Sequence, residues 1–158
     1  MSGTAPIPSN AIGILTIDLA ALGQNFRDLA RRVAPARCGA VIKANAYGIG
    51  IEAAAPALYQ AGCRVFFVAQ IGEGARARAA LAGDARIYVL NGLQAQADPA
   101  ADYAAQNLAP VIGSAEELAR WSAFAATRAE PPPSALHLDT GMNRLGFASL
   151  DELSLIHI

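Results

Sequence analysis

Twelve basic residues occur in the chain, eleven of them arginine, which leaves Lys43 as the only lysine. It stands where the apolar run Ala40-Val-Ile42 ends and the chain turns through Asn45, Tyr47, Gly48 and Gly50, residues that accept tight backbone geometry. A lysine at the mouth of a buried strand can be desolvated and used as a nucleophile or Schiff-base partner, a role arginine cannot fill. The plain alternative is a strand-end lysine that reaches out to water. Position alone favours the plain reading; the tyrosine and glycine cluster that follows shifts the balance toward chemistry.

A second stretch with chemical content runs Asp139-Thr-Gly-Met-Asn-Arg144-Leu-Gly146. Period-two alternation in the strand leading to it puts Ala135, His137 and Asp139 on one face and Leu136 and Leu138 on the other,. Two glycines permit a tight loop that presents Arg144, whose charged fork suits a phenolate, carboxylate or phosphate oxygen. An Arg144–Asp139 pair that merely closes the loop is an equal alternative. His137 taken alone reads as a satisfied core histidine.

Both stretches need a scaffold, and the pattern between them supplies one. Ile12 to Ile17 reads as a short strand, and Asp18 caps a helix with Leu22, Phe26, Leu29 and Val33 on one face,. Later strands are expected at Arg64–Gln70, Arg86–Leu90, Leu108–Ile112 and Ala135–Asp139. Helices are expected at Ile51–Gln60, with Ile51, Ala54, Ala55 and Leu58 inward, at Glu73–Leu81, after an Asp98 cap, and after the Ser114-x-x-Glu117 capping box, with Leu118, Trp121 and Ala125 inward,. Ser149-x-x-Glu152 is a further capping box. Strand centres near Ile42, Phe67, Val89, Ile112 and Leu138 recur about every 22 to 26 residues, one βα unit each,. Polar and glycine-rich residues gather after the strand C-terminal ends, at Lys43, Gln70, Asn91, Ser114 and Asp139–Arg144, which favours a barrel over a doubly wound sheet. Gly48-Ile-Gly50 is no dinucleotide fingerprint, because Ala53 stands where a third glycine belongs,.

The bulk composition narrows the partners. The net charge of −1 with interspersed signs offers neither a nucleic-acid footprint nor a membrane-surface patch,, so a small-molecule partner is expected. Cys38 and Cys63 are too few for a disulfide framework or a metal site,. The opening residues lack signal-peptide features and no stretch reaches about 18 uninterrupted apolar residues; a cytoplasmic location is expected.

Taken together, the two stretches resemble the pyridoxal-phosphate-dependent alanine racemase family. Ala40-Val-Ile-Lys-Ala-Asn-Ala-Tyr-Gly48 is similar to its cofactor-lysine signature, and Leu136-His-Leu-Asp-Thr-Gly-Met-Asn-Arg-Leu-Gly146 to its fifth-strand motif. Ile17-Asp-Leu19 is similar to its entry into the first helix. The resemblance implies an α/β fold, a (β/α)8 TIM-type barrel followed by a β-rich domain, working as a homodimer that interconverts L- and D-alanine for cell-wall supply. It further implies that Lys43 carries pyridoxal 5'-phosphate as a Schiff base and serves as the base on one face of the substrate. Tyr47 would bond the phosphate, Leu90 would line the ring pocket, and Arg144 would contact the phenolic oxygen and the substrate. No metal is implied.

The 158 residues fall short of the roughly 250 that a full barrel takes,. They are expected to form one incomplete barrel domain over residues 1–158, about five βα units without the C-terminal β domain, with an atypical tail at 153–158 and no activity alone. At His137 many family members carry a lysine, often carbamylated, that steadies the arginine; here Asp139 or a bound anion is expected to do so. The alternatives are another lysine Schiff-base barrel enzyme, an amino-acid decarboxylase or an aldolase, and a non-catalytic pyridoxal-phosphate-binding protein. The Asp139–Gly146 stretch argues against the decarboxylase and the aldolase.

Overall fold

The structure, a computed structural model, describes residues 10–93 and 99–154; the expected Asp98 cap and the tail beyond Ser154 lie outside the described residues. Helix α1 (Leu19–Val33) begins where Asp18 accepts a hydrogen bond from the Ala21 amide at 2.9 Å, the side-chain cap that an orphan helical N–H requires. Its buried stripe is narrower than the spacing predicts. Phe26 is buried and Leu22 packs beside it, while Leu29 and Val33 remain exposed.

Among the described residues five strands follow: β1 (Ala40–Val41), β2 (Val65–Val68), β3 (Arg86–Val89), β4 (Ala109–Ile112) and β5 (Ala135–Leu136). They form one parallel sheet in the order β1-β2-β3-β4-β5. A doubly wound sheet would reverse its order at a switch point; strict sequence order is the winding of a barrel arc. Pairing continues past the strand ends, with the Ile42 amide on the Phe67 carbonyl and the Leu90 amide on the Val68 carbonyl, both at 2.8 Å.

The first coil after β1 is α2 (Lys43–Tyr47), and the connecting helices are α3 (Ile51–Gln60), α4 (Ile71–Ala80), α5 (Pro99–Ala105), α6 (Ala115–Ala125) and α7 (Leu150–Ser154). Ile51, Ala54, Ala55 and Leu58 of α3 are all buried, as their three- and four-residue spacing predicts. On the helix-covered face of the sheet Ile42, Phe66, Val68, Ile87, Val89 and Ile112 are almost wholly out of water, each such burial contributing about 1.5–3 kcal/mol. Trp121 of α6 closes this layer, edge-on to Tyr103 at 5.9 Å.

The expected strand at Ile12–Ile17 does not form. That segment is irregular, and Ile12, Ile14 and Leu15 are exposed. β-Branched composition makes a strand only where backbone and side chains find a partner, and among the described residues no strand lies alongside.

Candidate functional site

Register and side-chain parity collect the chemistry on the other face of the sheet. Val41 pairs with Phe67, Phe67 with Tyr88 and Tyr88 with Ala109, while Val111 pairs with Ala135. Side chains alternate along each strand, so Lys43, Phe67, Tyr88, Leu90 and His137 share one face. Phe67 and Tyr88 stack there with ring centroids 5.4 Å apart. Extending the register past the strand ends sets Lys43, Ala69 and Leu90 at one level, so Lys43 and Leu90 are two strands apart, about 10 Å.

Lys43 is half-buried, and among the described residues its amine has neither a hydrogen bond nor an ion pair. The backbone just after it is unusual. Ala44, Asn45, Ala46 and Tyr47 have φ of 51°, 55°, 54° and 53°, so α2 is a left-handed turn, closed by Ala46 N–H to the Ile42 carbonyl at 2.9 Å and Gly48 N–H to the Ala44 carbonyl at 3.2 Å. Each L-residue outside glycine and asparagine costs about 1–2 kcal/mol in that hand. Only a surrounding that over-determines the turn keeps it.

Helix α4 supplies that surrounding. Glu73 Oε1 accepts from the Ala44 amide at 2.6 Å and the Asn45 amide at 3.4 Å, while Oε2 accepts from Ala69 N–H at 2.8 Å. One turn on, Arg76 donates to Asn45 Oδ1 at 2.7 Å and forks onto Glu52 at 2.7 and 2.8 Å. Asn45 Oδ1 also accepts from Ile51 N–H at 3.3 Å. The first two residues of the left-handed turn are thus tied to one helix.

The same device recurs two strands along. Ser114 caps α6 through the Glu117 amide at 3.2 Å, as the capping box predicts. The Glu117 carboxylate, however, reaches Gly113 N–H at 2.7 Å and Leu93 N–H at 2.9 Å, stitching the loop after β3 to the loop after β4. Glu152 repeats one half of it, accepting from Ala148 N–H at 3.0 Å.

At the end of β5, Asp139 is committed elsewhere than expected. Its carboxylate accepts from the amides of Gly141 at 2.9 Å, Met142 at 2.8 Å and Asn143 at 2.7 Å. The Gly141 amide, joined by those of Met142 and Asn143, holds this carboxyl below its ordinary value. No ion pair joins Asp139 to Arg144 among the described residues, which overturns both the loop-closing pair and Asp139 as the group that steadies Arg144. Three amide donors within reach of one carboxylate satisfy it without the guanidinium. Phe147 then returns to the sheet, its amide on the His137 carbonyl at 2.7 Å.

Of the residues singled out from sequence, Lys43 and Leu90 lie on the shared face; Tyr47, the last residue of α2, and Arg144, on the loop after β5, lie exposed at its C-terminal end. Among the described residues no hydrogen bond links these four side chains to one another. Glu73 and Arg76 were not legible as site residues. The Gln70-x-x-Glu73 spacing, which matches Ser114-x-x-Glu117, is the signal that could have found Glu73.

A parallel sheet of five strands wound in sequence order, with a lone lysine and its braced turn at the strand C-terminal ends, defines a partial α/β barrel, the class of fold that carries its chemistry at that end,. The chain belongs to the alanine racemase N-terminal domain family, whose description matches residues 17–157. It is 56% identical over 141 residues to an alanine racemase of Methylobacterium sp. (strain 4-46), covering 89% of this chain and 38% of that protein. Alanine racemase 3 of Salmonella typhi is 49% identical over 136 residues, covering 86% of this chain and 36% of that protein. The crystal structure of alanine racemase from Bartonella henselae, with covalently bound pyridoxal phosphate, superposes with a TM-score of 0.81 at 41% identity over 89% of this chain and 40% of that one. The chain therefore spans well under half the length of these relatives. Among the described residues no helix is long and apolar enough to cross a membrane, and no group of three or more His, Cys, Asp or Glu is placed to hold a metal ion.

Proposed function

We propose that this chain is the cofactor-anchoring part of a pyridoxal-phosphate-dependent racemase that interconverts L- and D-alanine. The observation that carries the reading is Lys43 itself: the only lysine, half-buried at the C-terminal end of β1, with its amine unpaired among the described residues. An amine with no carboxylate partner is open to bond to a carbonyl carbon.

The residues present fit that cofactor. Lys43 would hold it covalently, the Tyr47 hydroxyl would donate to its phosphate, Leu90 would pack on its ring, and Arg144 would meet its phenolic oxygen and the substrate carboxylate. When bound, such a cofactor draws off the electron pair left on the substrate Cα, which makes proton removal feasible near neutral pH. Once the substrate's own amine has displaced it, Lys43 would take or return that proton from one face, and a base on the other face would complete inversion. The family likeness also supports head-to-tail pairing of two complete copies and a cytoplasmic role in supplying D-alanine for the cell wall.

Borohydride reduction in the presence of pyridoxal phosphate, followed by peptide mapping, tests this reading. Label confined to Lys43 is expected; label elsewhere, or none, rules it out.

A further inference from the structure

We propose that Glu73 is a positioning residue for Lys43, bracing the left-handed turn from helix α4. The inference deepens the cofactor reading above and rests on it for the purpose of the brace. Its geometry stands independently.

Three observations lead to it. The left-handed turn begins at the residue directly after Lys43, so whatever fixes the Ala44 and Asn45 amides also fixes the direction in which the Lys43 side chain leaves the backbone. Those are the two amides that Glu73 Oε1 takes, at 2.6 and 3.4 Å, while Oε2 anchors on Ala69 N–H at the end of β2. Register places Ala69 beside Lys43, so one carboxylate ties the lysine's turn to the adjacent strand end at the same level.

The second observation is the cost of the turn. Alanine at φ of 51° and 54° has no intrinsic reason to stay there,, and charge-assisted hydrogen bonds to a carboxylate are among the strong ones available to oppose relaxation. The third is repetition. Glu117 sits at the equivalent helical position of α6 and clamps Leu93 and Gly113, a pair of loops without a lysine. Two similar clamps, one carrying chemistry and one not, give the proposal an internal control.

The test compares Glu73→Gln and Glu117→Gln in the full chain by amide hydrogen exchange and by borohydride trapping at Lys43 with pyridoxal phosphate. A glutamine can offer only one acceptor oxygen and turns an N–H2 toward an amide. In Glu73→Gln, exchange at Ala44 and Asn45 is expected to accelerate about tenfold to a hundredfold. The pyridoxal phosphate concentration needed for half-trapping of Lys43 is expected to rise about tenfold. In Glu117→Gln, exchange rises at Leu93 and Gly113 while Lys43 trapping stays as in the parent. Adding Ala44→Gly to Glu73→Gln, which removes the Cβ penalty of the left-handed conformation, is expected to recover trapping to within about threefold of the parent. The same background carries the comparison if Glu73→Gln alone fails to fold.

Unprotected Ala44 and Asn45 amides in the parent, unchanged exchange there in Glu73→Gln, or an equal loss of Lys43 trapping in the two glutamine variants would overturn the brace. Amide protection that depends on Glu73 supports it even if Lys43 is never trapped, and that absence would count against the cofactor reading alone.

Discussion

Gly92 lacks a side chain where the Glu117 carboxylate needs the room: a Cβ built on Gly92 would overlap Oε1 and lie 2.8 Å from Cδ of Glu117. Gly92 also has φ of 61°, so an alanine there would meet backbone strain and a steric clash together. Gly92→Ala is expected to destabilise the chain by about 1–3 kcal/mol and to release the Leu93 and Gly113 amides. The denaturant midpoint and exchange at those two amides check it; an unchanged midpoint with both amides still protected would show that Glu117 can move aside freely.

The Gly92 carbonyl has its own partner, the buried Tyr103 hydroxyl, which donates to it at 2.6 Å. Burial pushes the phenol well above its ordinary value, so it stays a donor throughout the usual pH range. Tyr103→Phe leaves that carbonyl with no hydroxyl partner and is expected to cost about 1–3 kcal/mol without altering Lys43 trapping. A urea titration of parent and variant measures the difference.

Asp139 makes a pH prediction with a definite sign. Its carboxyl is held below the ordinary value, first by the Gly141 amide, so its contribution is complete above the unfolded value of about 3.9 and is lost as pH falls from there through the lower folded value. The amide resonances of Gly141, Met142 and Asn143 should shift together on acidification through that window, and should not do so in Asp139→Asn. Movement of the three amides near neutral pH would contradict this assignment.

Lys43→Arg keeps the charge and removes the nucleophile. It is expected to abolish trapping of pyridoxal phosphate while the far-ultraviolet circular dichroism and denaturant midpoint stay within about 0.5 kcal/mol of the parent. Persisting label in this variant would move the cofactor to another amine, the N-terminus being the remaining candidate in a chain with no other lysine.

What could be read from sequence was whatever local spacing controls. The α3 face, the Asp18 and Ser114 caps and the five βα units all depend on neighbours within a few residues or on a repeated period, and each appears in the structure. The motif around Lys43 also announced itself, through residue type. Its left-handed winding did not, because Ala44 and Ala46 are ordinary helix formers and the carboxylate that takes the Ala44 and Asn45 amides, Glu73, stands some thirty residues away. Ile12–Ile17 failed for the complementary reason: its composition suits a strand, but a strand is a relation between two segments. Asp139 and Arg144 were paired on charge alone, and three amides closer along the chain took the carboxylate instead.

The sheet order β1-β2-β3-β4-β5 has a consequence for how the chain is assembled. Each strand docks on the one made just before it, so every pairing closes a loop of similar, modest length, and the entropy lost at each closure is nearly constant. Growth at one edge never requires an earlier pair to separate. A nascent chain leaving the ribosome can therefore lay the sheet down in order of synthesis, with Lys43 and its turn emerging early and acquiring their carboxylate only when α4 has followed.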